Sequence, residues 1–191
     1  LFRQQQVEVI GVILNKVLPD KLDKIKATVG RGLENLGTHL LGALPYESLL
    51  SSYTVKQIAA EFGYSVLCGA NALGNRVGHT LVAAMEPQDM IRYIQNNTLI
   101  ITPGDRIDNI LISIILSTRD QYYEQMPSAC GLILTGGFKP HSTILPLLHR
   151  SRIPVLISQD DTFTVSSRMK GLQFKIQPND HDKITSLHTM I

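Results

Sequence analysis

Three short polar stretches carry the residues best suited to chemistry: Gly104-Asp105-Arg106, Thr135-Gly136-Gly137 and Asp160-Asp161-Thr162. Each follows an apolar, strand-like run and precedes a helical pattern, so each reads as a turn from a strand into a helix. Turns of this kind present unpaired backbone N–H groups, and paired glycines let an approaching group come close. Arg106 adds one planar cation, suited to an anionic ligand or to a carboxylate from a neighbouring turn or subunit. Asp108 sets an acid beside that arginine, which makes a bare phosphate a poorer match than a nucleotide carried with Mg²⁺ or a mixed-charge metabolite. No cofactor is fixed by these residues. The carboxylates also have a plain structural use, since Asp105 and Asp161 stand where helix N-caps belong and Asp108 sits favourably in a first turn.

The signatures of several enzymes are missing from these residues. The nearest spacing to a phosphate-gripping G-x-x-x-x-G-K-[ST] loop runs from Gly32 to Gly37, but Thr38 and His39 follow in place of the lysine. No G-x-S-x-G nucleophile elbow occurs. The histidines show neither H-x-x-x-H nor H-E-x-x-H spacing, so no metal site is expected. These readings favour binding over catalysis.

The elements that must hold the three turns can be read along the chain. Val7 to Leu14 is a strand, Pro19 opens a helix that ends near Gly37, and Leu40 to Tyr46 is a second strand. A β-α-β unit of that size cannot bury both strand faces alone, which predicts homodimerisation or a covering domain. Glu47 to Tyr53 reads as a linker. Thr54 and Gln57 then form a capping box that starts a new helix and a new domain. Strands follow at Ser65 to Gly69, His79 to Met85, Thr98 to Thr102, Gly131 to Thr135 and Ile153 to Ser158, with a last one at Leu172 to Ile176. Helices separate them, including one that Glu86-Pro87 starts and one from Pro140 to Arg150 that Pro146 should kink and whose Ile144, Leu147 and Leu148 share an apolar face; a polar loop runs from about Thr118 to Ser128, and an amphipathic helix closes the chain. The class is α/β with a mainly parallel sheet, and right-handed crossovers bring all three polar turns to one sheet edge.

Composition fits an ordinary globular protein of 191 residues with net charge +2 and no basic stripe, which argues against nucleic acid as a partner. No apolar run reaches the roughly 20 residues that span a bilayer, and no signal peptide is visible, so a cytoplasmic location without membrane attachment is expected. Cys68 and Cys130 sit in apolar strands and read as buried thiols.

Together, Gly104-Asp105-Arg106, Leu134-Thr135-Gly136-Gly137 and Asp161-Thr162-Phe163 resemble the DRTGG domain family, named for the first two blocks. The likeness covers about Thr54 to Ile191. The opening VIGVILNKV and LLGALPY resemble the last strands of the dethiobiotin-synthetase-like P-loop domain that precedes this domain in long bacterial phosphate acetyltransferases. Residues 1–53 would then be a P-loop remnant with its linker, and 54–191 the DRTGG domain. The resemblance implies a fold similar to the N-terminal domain of HPr kinase/phosphorylase and no catalytic residues. It also implies a regulatory or oligomerisation role beside a C-terminal acetyltransferase domain in the parent protein. Asp105, Arg106, Thr135, Gly136, Gly137, Asp161 and Thr162 would line an effector or subunit contact. A stand-alone nucleotide or metabolite sensor using the same crevice is the alternative.

Overall fold

The β-branched run near the N-terminus finds its partner in the second apolar run. In a computed structural model, β1 (Val12–Val17) and β2 (Leu40–Pro45) pair in parallel and are joined by α1 (Leu22–Asn35). The structure describes Gln5, 7–117, 127–151, 153–172, 174–178 and 180–190. The first strand lies further along than Val7 to Leu14 because its ladder begins only where the Val12 N–H donates to the His39 carbonyl at 2.9 Å. Gly37 takes φ 67° just past α1, the left-handed turn its sequence position suggests. The expected linker contains a helical turn, α2 (Ser48–Ser51).

These elements cluster with residues 175–191 into one unit, and Ser52–Phe174 form the other. The terminal helix, His181–Met190, groups with the first unit, whereas the resemblance over about Thr54 to Ile191 includes it in the DRTGG domain. Within that first unit Lys183 is buried, and its ammonium donates to the Leu50 carbonyl at 3.3 Å.

The second unit opens with the short strand β3 (Tyr53–Thr54) and helix α3 (Val55–Phe62). The capping box forms as read: Thr54 Oγ1 accepts the Gln57 N–H at 3.2 Å, and Gln57 Oε1 accepts the Thr54 N–H at 2.9 Å. β4 (Ser65–Cys68) follows, then β5 (Arg76–Val77), which pairs antiparallel with β3. Next come β6 (His79–Val82), α4 (Pro87–Met90), β7 (Thr98–Pro103) and α5 (Ile107–Ser117). The rest are β8 (Ala129–Thr135), α6 (Leu145–Arg150), β9 (Val155–Ile157) and α7 (Thr162–Lys170).

The main sheet has the order β4-β9-β8-β7-β6. Strands β6 to β9 run parallel, while β4 pairs antiparallel with β9, so the sheet is mostly parallel but mixed. Period-two alternation divides its side chains between two cores. Ile100, Leu132, Leu134 and Val155 pack with Met90, Ile110 and Leu148, whereas Leu99, Ile101, Ile133 and Leu156 pack with Ile58, Val165 and Met169. The helical layer of α4, α5 and α6 therefore covers one face and α3 with α7 the other. Burial on both faces explains why β7 and β8 read as continuous apolar runs.

Four local expectations need correction. Pro146 does not kink α6 but lies in its first turn, where its missing N–H costs nothing. Leu147 is exposed, so only Ile144 and Leu148 of the expected apolar trio face the core. The helix after Glu86 is a single turn that continues as the 3-10 segment Ile91–Tyr93. No strand forms among the described residues of 172–176. The polar loop expected from about Thr118 to Ser128 lies at 118–126 outside the described residues. Among the described residues, no helix is long and apolar enough to cross a membrane.

Candidate functional site

Because β7, β8 and β9 are adjacent and parallel, their carboxyl ends meet and the three polar turns interlock. The Gly104 N–H donates to the Thr135 carbonyl at 3.2 Å. The Gly136 N–H donates to the Asp160 carbonyl and the Gly137 N–H to the Ser158 carbonyl, both at 2.8 Å. Gly136 and Gly137 take φ 78° and 70°, a region that side-chain-bearing residues avoid. Beneath them Thr135 is buried, and its Oγ1 lies 2.7 Å from Thr162 Oγ1 at the start of α7. Five of the seven anticipated site residues, Thr135, Gly136, Gly137, Asp161 and Thr162, are thus brought together at the ends of β8 and β9.

Arg106 reaches the other way. Its guanidinium grips Asp108 through Nε at 3.0 Å and Nη2 at 2.8 Å, and Nη2 also donates to the Met85 carbonyl, past the end of β6, at 3.3 Å. The Arg106 hydrogen bond holds the Asp108 carboxyl below the usual carboxylate range, and Asp108 in turn raises the guanidinium further. Asp105 is exposed and contributes its backbone carbonyl to the turn, accepting the Ile107 N–H at 3.0 Å, so it does not cap α5 with its side chain. Asp160 is likewise committed, pairing with Arg168 Nη1 at 2.6 Å. The edge therefore carries two ion pairs, and the N–H groups of Gly104, Gly136 and Gly137, expected to be unpaired, are instead spent on holding the turns to one another. Among the described residues, no cluster of three or more His, Cys, Asp or Glu is arranged to hold a metal ion.

Asp161 does cap α7, accepting the Thr164 N–H at 2.9 Å and the Thr164 hydroxyl at 2.8 Å. The bond from the Thr164 N–H is the chief cause holding its carboxyl below the usual range. A folded-state value depressed below the unfolded one adds stability at neutral pH that is lost as pH falls through the folded value. Asp161→Asn, which can cap but cannot ionise, should therefore melt below the wild type at pH 7 and converge with it as pH drops below the ordinary carboxylate value. Paired thermal melts across that window check this, and a gap that stays constant would remove Asp161 as the titrating group.

Two residues at this edge escape a reading by residue chemistry. Phe138 follows the Gly136-Gly137 turn and is 55% exposed, and Phe163, in the first turn of α7, is 79% exposed. Their signal in the sequence is a large aromatic placed in a turn or first helical turn, where no core lies beneath it. At the opposite edge of the sheet, Asn75, Arg76, Asn97, Ser117, Ser128, Ala129 and Cys130 line a polar cavity of about 300 Å³. Both cysteines are buried thiols, and burial pushes the Cys130 thiol up to about 12.

Fold and site together define a mostly parallel α/β domain whose candidate site lies outside the strand carboxyl ends. The family model of the DRTGG domain matches residues 57–172, and the chain belongs to that family. Curated relatives include the phosphate acetyltransferase of Synechocystis sp., 32% identical over 186 residues that cover 96% of this chain and 26% of the relative. The phosphate acetyltransferase of Nitratidesulfovibrio vulgaris is 33% identical over 146 residues, 75% of this chain and 20% of the relative. The uncharacterised protein YtoI of Bacillus subtilis is 24% identical over 135 residues, covering 71% and 28% of the two chains. The chain thus spans about a quarter of the length of the curated relatives it matches. Among solved structures, the CBS and DRTGG domains of the regulatory region of Clostridium perfringens pyrophosphatase, complexed with the activator diadenosine tetraphosphate, align over 87% of this chain and 64% of that one. The identity is 20% and the TM-score 0.43, too distant a likeness to fix fold detail or ligand.

Proposed function

We propose that this chain is the non-catalytic regulatory and assembly segment of a phosphate acetyltransferase-like cytoplasmic protein, and that the carboxyl edge of its sheet receives a small-molecule effector. The observation that carries this reading is the hydrogen-bonded union of the three turns, with Arg106 paired to Asp108 and Asp160 to Arg168 beside them. Asp105 and Arg106 form one half of the edge, and Thr135, Gly136, Gly137, Asp161 and Thr162 the other. In the same reading, residues 1–53 are a P-loop-domain remnant with its linker and 54–191 the DRTGG domain, similar in fold to the N-terminal domain of HPr kinase/phosphorylase. A C-terminal acetyltransferase domain of the parent is the element regulated. Exposed Phe138 and Phe163 favour an effector with a flat apolar part, so a Mg-nucleotide is the leading class.

Amide hydrogen exchange with saturating ATP, ADP, NADH or acetyl-coenzyme A, each with Mg²⁺, tests the location. At least one probe should slow exchange at 104–106, 135–137 and 160–164. Protection confined to the cavity around Asn75 and Asn97, or none with any probe, would overturn the assignment.

A further inference from the structure

The amino ends of β7 and β8 hold a hollow that the turn edge does not use. The turn into β7 is fastened to both neighbouring strands through the backbone of Asn97. Its carbonyl accepts the Gly78 N–H at 3.0 Å and the Cys130 thiol at 3.1 Å, and its N–H donates to Ser128 Oγ at 3.1 Å. Asn97 takes φ 58°, a left-handed conformation that asparagine tolerates better than most residues. Asn75 is fastened as well, its Nδ2 donating to the Cys130 carbonyl at 2.9 Å. These bonds hold the wall together and leave polar atoms over. The Asn97 side-chain amide, Asn75 Oδ1 and the Ser128 hydroxyl proton serve no hydrogen bond to a described residue, and all three residues line the cavity of about 300 Å³. Such atoms gathered in one hollow are satisfied by water or by a ligand.

We propose that this cavity binds a small hydroxylated oxyanion, a carboxylate or a phosphate ester. Size sets the upper bound. A volume of about 300 Å³ holds some ten waters at about 30 Å³ each, the low end for small-molecule sites. The sign of the charge follows from the lining, in which Arg76 is the one charged side chain among the described residues. A guanidinium attracts an oxyanion, and with five N–H donors it serves a neighbour and a ligand together; here Nη1 donates to Ser52 Oγ at 3.4 Å. The Asn97 amide and the Ser128 hydroxyl add neutral donors to the same hollow. Its acceptors ask for something else. Ser117 Oγ gives its proton to the Ile114 carbonyl at 2.6 Å and so acts toward a ligand only as an acceptor, at the C-terminal, negative end of α5. Asn75 Oδ1 is an acceptor too. These groups suit a hydroxyl donor and repel an oxyanion. A ligand bearing both an anionic group and a hydroxyl satisfies the two sets, which neither a neutral polyol nor a bare oxyanion does.

Binding here is independent of the turn edge at the other end of the strands. Titration calorimetry of the full chain should show saturable binding of glycerol 3-phosphate or of L-malate with a Kd of about 1 mM or tighter, and the stronger of the two decides between phosphate ester and carboxylate. Inorganic phosphate should bind at least about tenfold more weakly than the stronger anion, and glycerol not at all. Asn97→Gly keeps the left-handed turn and removes only the amide, so it should melt as the wild type does and bind about tenfold more weakly. Arg76→Gln should abolish binding of either anion, whereas Phe163→Ala, at the turn edge, should bind as the wild type does. The proposal is overturned if neither anion binds the wild type, if glycerol binds as well as they do, or if Asn97→Gly and Arg76→Gln bind with wild-type affinity. Loss of anion binding in Phe163→Ala would place the anion at the turn edge and overturn it equally.

Discussion

Replacing Gly104 by Ala should destabilise the second unit by about 3 kcal/mol, lowering its melting temperature by roughly 6–12 °C. A methyl group at this buried position would overlap the Phe138 carbonyl oxygen. That oxygen belongs to backbone, so no rotamer change relieves the clash. The β7 turn has to withdraw from the β8 turn, and the Gly104 N–H bond to the Thr135 carbonyl weakens with it. The loss should be larger than a surface substitution could cause, because the two turns share their packing and their hydrogen bond. Thermal unfolding followed by circular dichroism measures it. An unchanged melting temperature would mean that the turns are not in contact, and the shared edge would lose its structural basis.

Much of the fold is legible because local chemistry and global packing agree. Thr54 with Gln57 announces a helix start that the structure keeps, and Asp161 announces another. The apolar runs of β7, β8 and β9 reveal a sheet buried on both faces, and that in turn places their end turns together. What escapes such a reading depends on partners that local pattern cannot name. Ser65–Cys68 looks like any other strand, yet its pairing with β9 is antiparallel, a sense that its own residues do not encode. Pro146 in a helical pattern is ambiguous between a kink and a first turn, and the first turn wins because residues 142–144 form a turn and the helix opens only at Leu145.

The site divides in the same way. Gly136 and Gly137 are legible as positions needing positive φ, since little else does so cheaply. Arg106 is legible as a cation at the rim, but its grip on Asp108, two residues ahead, turns it toward the end of β6 and away from the glycine pair. Phe138 and Phe163 look like core residues by composition alone, and only the fold shows them outside it.

If the carboxyl edge is an effector site, binding must raise stability by mass action. A ligand held at a hundred times its Kd adds about 2.7 kcal/mol, a rise of roughly 5–10 °C for a chain of this length. Phe163 offers a flat apolar surface beside Thr162, and loss of one aromatic stacking contact costs about 1–3 kcal/mol of affinity. A tenfold weaker complex at the same concentration would give about half the stabilisation. Phe163 lies outside both cores, so Phe163→Ala should fold as well as the wild type and respond less.

The decisive measurement is thermal unfolding of wild type and Phe163→Ala with ATP, ADP, NADH, acetyl-coenzyme A, pyruvate and phosphoenolpyruvate, each with and without Mg²⁺. The account predicts that at least one compound raises the wild-type melting temperature by several degrees and that the rise falls to half or less in Phe163→Ala. No shift with any compound, or an equal shift in both proteins, would contradict it.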